Sequence, residues 1–222
     1  MRRFTKLGLG LWCALILAAP AAAQQEKPKA NPEGKPEAKP EAKPEGQGGD
    51  DMAAMMAEMM KYAAPGEHHG HLKPLAGKWK LASKFRMSPE APWDDSTGDA
   101  TLEWILGGRF LQLKVKSPPS EAMPMEFEGF GLLGYDNYGK KYVSAWMDSM
   151  FTGIMMMNGS CDASAKTITL TGENDDPMTG GKSKQRWVYK IINDDKFVFE
   201  MWGPGEDGKE FMNGEITYNR VK

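Results

Sequence analysis

A chain of 222 residues with a formal net charge of -2 has no basic excess that would draw it to nucleic acid or to an anionic membrane. About 150 residues follow His71, enough for one domain with its own core and few for two. Of the two cysteines, Cys13 lies in an apolar leader-like run. Cys161 is then the lone thiol of the mature chain, no intramolecular disulfide is expected, and stability must come from packing.

Residues 1–23 carry the three parts of a secretory signal: Arg2, Arg3 and Lys6, then the apolar run Leu7–Leu17, then Ala21-Ala22-Ala23 before a cut ahead of Gln24. The bulky Trp12 before Cys13 argues against a lipoprotein cysteine. The expectation is an exported protein, periplasmic or extracellular, with no transmembrane span once the leader is removed near Ala23. Residues 24–50 repeat Lys-Pro-Glu-Ala/Gly. Proline every fourth residue removes amide donors, and no apolar side chain offsets ordering, so a disordered tether is expected.

Asp50 and Asp51 suit an N-cap, and Met52, Met55, Met56, Met59 and Met60 recur at helical spacing up to Tyr62. Residues 51–75 therefore read as short helical segments, the first laying a thioether stripe on the following domain or across its mouth. Thioethers suit Cu(I), and His68, His69 and His71 follow closely. Met59, Met60, His68, His69 and His71 are thus a candidate copper site; otherwise no cofactor is indicated.

From Gly77 the period changes to two, with Trp79, Leu81, Ser83 and Phe85 on one face and lysines on the other. Nine further strands follow, near Thr97–Ile105, Leu111–Lys116, Met125–Gly134, Lys141–Asp148, Thr152–Cys161, Thr167–Glu173, Ser183–Ile192, Lys196–Trp202 and Lys209–Val221. In the last, Met212, Ile216, Tyr218 and Arg220 are expected on one face. Glycines at 129 and 131 inside a strand signal bending or close approach. About ten strands over 76–222, joined by hairpin-length turns without intervening helices, predict an all-β antiparallel up-and-down barrel, with a β-sandwich as the alternative.

Several blocks in order carry a resemblance: Glu67-His68, Gly77-Lys78-Trp79, Leu106-Gly107-Gly108-Arg109-Phe110, Gly131–Asp136, Trp146–Met150, and Asp207–Glu210 with Tyr218–Arg220. On these, the stretch from Glu67 to Lys222 resembles a bacterial family of exported proteins called domain of unknown function 1579. More distantly, Leu75–Leu81 is similar to the first-strand signature of lipocalins and fatty-acid-binding proteins. That resemblance implies Arg220 over Trp79 at the closed end of the barrel. The fatty-acid-binding Arg-x-Tyr pair is reversed here, as Tyr218-Asn219-Arg220. A nitrobindin-type haem barrel is similar in outline, but such barrels take a late histidine and none follows His71.

The histidines precede the barrel, and neither a Ser-His-Asp or Cys-His arrangement within it nor a zinc spacing is evident, so binding is favoured over catalysis. The leading expectation is a small apolar or amphipathic ligand inside the barrel, met by Trp104, Trp146, Asp148, Arg186 and Tyr218. The alternatives are an envelope interaction module with a filled barrel, and copper binding through the Met/His segment.

Overall fold

The computed structural model describes residues 47–120, 123–176 and 180–222. The leader and nearly all of the tether lie outside the described residues. Helix α1 spans Gln47–Ala63, starting three residues before the expected acidic cap. Asp50 instead sits in the first turn, where a carboxylate favours the positive end of the helix dipole. A short helix α2 (Glu67–Gly70) and a 3-10 turn (Lys73–Leu75) lead to the strands.

Ten antiparallel strands follow: β1 (Gly77–Phe85), β2 (Asp94–Ile105), β3 (Phe110–Ser117), β4 (Phe127–Asp136), β5 (Lys141–Asp148), β6 (Met155–Cys161), β7 (Thr167–Asp176), β8 (Gly181–Asn193), β9 (Lys196–Pro204) and β10 (Glu210–Arg220). Each pairs with its sequence neighbour, and β1 pairs with β10 from Trp79↔Arg220 to Phe85↔Gly214. The sheet is a closed barrel, so no strand edge is left unpaired by the topology.

The two ends differ. Turns at 106–109, 137–140, 162–166 and 194–195 are tight and share one end, the floor, with α2 and the 3-10 turn. Leu106, Lys140 and Ala165 adopt positive φ in these turns. The connections from β1 to β2, β3 to β4, β5 to β6, β7 to β8 and β9 to β10 fall at the other end, the mouth.

Alternation sends one residue in two inward, and the inward set is large. Trp79, Leu102, Leu111, Tyr142, Met157, Ile168, Leu170 and Phe197 are essentially inaccessible, and Leu72 and Leu75 plug the floor. Fully burying one such side chain contributes about 1.5–3 kcal/mol, so the barrel is held by its own filling. Nearer the mouth Phe127, Trp146 and Met155 pack on this core while partly buried, and the polar inward residues Ser83, Ser144, Asn174 and Ser183 are buried too. Among the described residues every buried side-chain nitrogen and oxygen has a partner.

One bulge breaks the simple periodicity of the last strand. A bulge between Met212 and Gly214 puts Met212 opposite Trp202 and Gly214 opposite Met201. The extra residue turns Met212 to the outer face, away from Ile216 and Tyr218. Trp202 is outward as well. Glu200 is outward yet only 8% exposed, because Lys190 and the Trp202 indole, both hydrogen-bonded to it, lie over it. The expected packing of the α1 thioether stripe is not found: Met52, Met55, Met56, Met59 and Met60 are all 50–58% exposed. Contacts of α1 with the barrel gather at its C-terminal end, where Asn137 donates to the Tyr62 and Ala64 carbonyls and Tyr138 meets Tyr62 edge-on.

Candidate functional site

At the floor, Arg220 stands over Trp79, its guanidinium carbon 4.1 Å from the indole centroid. The same guanidinium donates to the Ala76 and Pro74 carbonyls, each at 2.7 Å, and to the Asp194 carbonyl. Trp79 Nε1 donates to the Leu75 carbonyl at 3.0 Å. One planar fork thus ties the last strand to the segment entering the first, which a lysine cannot reproduce. Gly77 leaves room for it: a side chain there would collide with the Arg220 guanidinium.

The histidines gather beside this closure. His68 stacks on Tyr135 at 4.2 Å between centroids, and His71 Nδ1 is 2.6 Å from the Tyr142 hydroxyl. His69 is buried; its Nδ1 accepts from the Gly66 amide, and its remaining N–H meets the Tyr135 backbone. Burial, with His68 and Arg109 nearby, holds the His69 imidazole below its ordinary pKa. Burial raises the Tyr142 phenol, and the neighbouring Cys161 adds to this. The Cys161 thiol is itself raised, by burial and by Asp162. Each imidazole is therefore engaged in fastening α2 to the barrel. The described residues gather no group of three or more histidine, cysteine, aspartate or glutamate side chains suited to a metal. The tyrosine partners were not legible in the sequence, because they come from β4 and β5, more than sixty residues on.

The five expected ligand contacts do not converge. Trp104 packs on the core near the floor. Tyr218 is buried in the core, stacked on Phe197 at 4.0 Å, and burial raises its phenol strongly. Arg186 is on the outer wall, in a bidentate pair with Glu210 and 4.3 Å over Trp202. Only Trp146 and Asp148 stay together, at the mouth: the indole Nε1 donates to the carboxylate at 2.8 Å, and the Met150 amide donates to its other oxygen at 2.9 Å. The Trp146 ring lies across Gly129 and Gly131 of β4, where a side chain would collide with it. Those glycines are the close approach that the sequence signalled.

Two hollows, of about 440 and 370 Å³, lie in the wall and open to solvent. The first runs past Ala82, Ser96, Pro118 and Thr217, the second past Lys114, Phe130, Met147 and Asp148. More prominent are the mouth loops. Phe85 and Met87 beside the first, Met125 on the second, and Met150, Phe151 and Ile154 on the third are exposed, Met87 to 83%. This crown was missed in the sequence because isolated loop methionines carry no period.

The family model for "Protein of unknown function (DUF1579)" matches residues 64–220. The chain belongs to the DUF1579 family. The DUF1579 match begins just after α1, so the Met-rich helix lies outside the family region. A search of the curated proteins finds no match. Among solved structures, Rv2717c from M. tuberculosis is 13% identical, covers 72% of this chain and 100% of its own, and has a TM-score of 0.54, a likeness of fold alone. A redesigned beta barrel, b11L5F_LGL, is 14% identical, covers 68% of this chain and 96% of its own, and has a TM-score of 0.37. Among the described residues no helix is long and apolar enough to cross a membrane.

Proposed function

We propose that this DUF1579 barrel is an interaction module that uses its mouth, rather than its interior, as the contact surface. The observation that carries this reading is the contrast between a barrel filled by its own side chains and a crown of six exposed large apolar residues on three successive mouth loops. Exposing these side chains to water is unfavourable, and apolar residues gathered at one end of a domain mark contact sites. Trp146, Met157 and Asn174 occupy the space that cargo inside the barrel would need. Export, which the leader motif suggests, would place the module in the envelope.

An environment-sensitive apolar dye tests the reading. Binding should fall at least about fivefold when Met87, Phe151 and Ile154 are replaced together by serine, because each substitution removes apolar contact area. Dye binding untouched by that triple variant, yet changed by Trp146→Ala, would move the site back into the barrel.

A second reading concerns α1. Its five exposed thioethers on one face form a donor set suited to Cu(I) without any histidine, the imidazoles being engaged at the floor. Titration with Cu(I) in a Cys161→Ser background should show binding that survives His68→Gln/His71→Gln. It should be lost when Met52, Met55, Met56 and Met59 become leucine. Retention in the leucine variant would end this reading.

A further inference from the structure

The mouth joins two chemistries. Its apolar residues lie on the consecutive loops β1–β2, β3–β4 and β5–β6. The described residues of the two remaining loops, β7–β8 and β9–β10, carry no large apolar side chain; they are Gly180 and Gly205, Glu206, Asp207, Gly208 and Lys209. Carboxylates dominate the rim. Over 86–95, 118–126, 148–154, 175–182 and 204–210 the described residues include ten carboxylates and three cations, Arg86, Lys182 and Lys209.

The floor has the opposite sign. Its turns and entering segment, over 66–78, 106–110, 136–141, 161–167, 190–196 and 220–222, hold ten cations and five carboxylates. The net charge of -2 over the whole chain conceals this separation. Hairpin topology gathers each set, since every second connection goes to the same end; the separation is one of sums over each end, for the floor turn Asp194-Asp195 is itself acidic and 149–154 carries no charge.

We infer that the mouth docks a cationic amphipathic peptide segment of a partner protein, with its apolar edge on the Phe85/Met87/Met125/Phe151/Ile154 arc and its lysine or arginine edge against the rim carboxylates. The inference rests on the mouth being the contact surface and adds the chemistry of the partner. Charge complementarity chooses the occupant. Pressing the whole crown onto an anionic bilayer would drive the rim carboxylates against phosphate, and a purely apolar partner would bury them without counter-charges. A segment with one apolar and one cationic edge satisfies both arcs at once. Glu90, Asp94, Glu126 and Glu206 are all exposed and stand where its cations would lie, although Lys116 already lies 4.0 Å from Glu126. Trp93, held at 4.4 Å from the Arg86 guanidinium beside Met87, sits within the contact as a built-in reporter.

The experiment uses the full chain and four probes: a synthetic Leu/Lys amphipathic peptide, a neutral Leu/Gln peptide of the same pattern, a Ser/Lys peptide, and vesicles of zwitterionic or anionic phospholipid. Tryptophan fluorescence and calorimetry read the binding. Saturable binding is expected for the Leu/Lys peptide, weakened at least about tenfold at 0.5 M salt by screening. It should be weakened similarly by Met87→Ser/Phe151→Ser/Ile154→Ser, and by Glu90→Gln/Asp94→Asn/Glu126→Gln/Glu206→Gln. Salt dependence should be reduced in the amide variant alone, a signature that misfolding would not give; circular dichroism and thermal melting check the fold of both.

Equal binding of the Leu/Gln peptide would overturn the cationic partner while leaving the apolar crown standing. Leu/Lys binding indifferent to the serine variant would overturn both. Crown-dependent capture by vesicles, with no peptide binding, would assign the mouth to a lipid surface and overturn the peptide. Absence of binding to every probe would overturn this inference, and the dye experiment would then judge the crown by itself.

Discussion

Two single residues show how this barrel uses space. Gly129 is buried beneath Trp146, and a methyl group there would meet the indole. Gly129→Ala should lower unfolding stability by about 1–3 kcal/mol, the usual cost of overpacking, and by much less in a Trp146→Ala background. Denaturant titration of the double-mutant cycle measures the difference; equal losses in both backgrounds would mean that Trp146 does not set the limit. Arg220 acts in the other direction, spanning space that no local element covers. Arg220→Lys retains charge but loses the fork across Pro74, Ala76 and Asp194. A loss of about 2–3 kcal/mol is expected, with most of the loss seen for Arg220→Ala already present in the lysine variant. Full retention by lysine would show that charge over Trp79 suffices.

At the scale of elements, α1 and α2 have opposite roles. Helix α2 is fastened by His68, His69 and His71 to Tyr135 and Tyr142, and it completes the floor with Leu72 and Leu75. Helix α1 presents all five of its stripe methionines to solvent and lies outside the family region. Removing residues 47–60, which leaves the Tyr62 contacts in place, should therefore leave the melting temperature within about 2 °C of that of the full chain, since surface changes away from packed contacts usually stay within ±0.5 kcal/mol. A larger fall in a calorimetric scan would reveal packing by the helix. The strand elements were legible because a period of two survives in single residues such as Trp79, Leu81, Leu111 and Leu113. The bulge at Met212/Gly214 was not, since inserting one residue changes the face without changing composition. The α1 stripe was legible as a helix but not as an exposed one, because periodicity identifies an apolar face and says nothing of what covers it.

For the whole molecule, pH tests the floor. His69 is held neutral, its folded pKa below the ordinary value of about 6.5. The unfolded chain then binds the extra proton, and this contribution is present above that value and lost as pH falls below it. On the alkaline side, the raised Cys161 thiol and the Tyr142, Tyr189 and Tyr218 phenols favour the folded state below their unfolded pKa values of about 9 and 10, and lose that contribution as pH rises further. Stability measured by denaturant against pH should form a plateau between these limits. His69→Gln should flatten the acidic limb. An unchanged acidic slope would place the titrating group elsewhere.

The sequence by itself determined the strand count, most of the inward set outside the bulge at Met212/Gly214, and the family, because alternation and turn chemistry are local and recur along the chain. It also marked Trp79 and Arg220 as partners through resemblance. Tertiary structure alone decided which residues meet. Closure divided Trp104, Trp146, Arg186 and Tyr218 among floor, mouth, wall and core. It brought the histidines to tyrosines of β4 and β5. It also sorted a nearly neutral chain into an acidic, apolar-tipped mouth and a basic floor. Such sorting depends on which end of the barrel each turn occupies, and that follows from closure rather than from any local pattern.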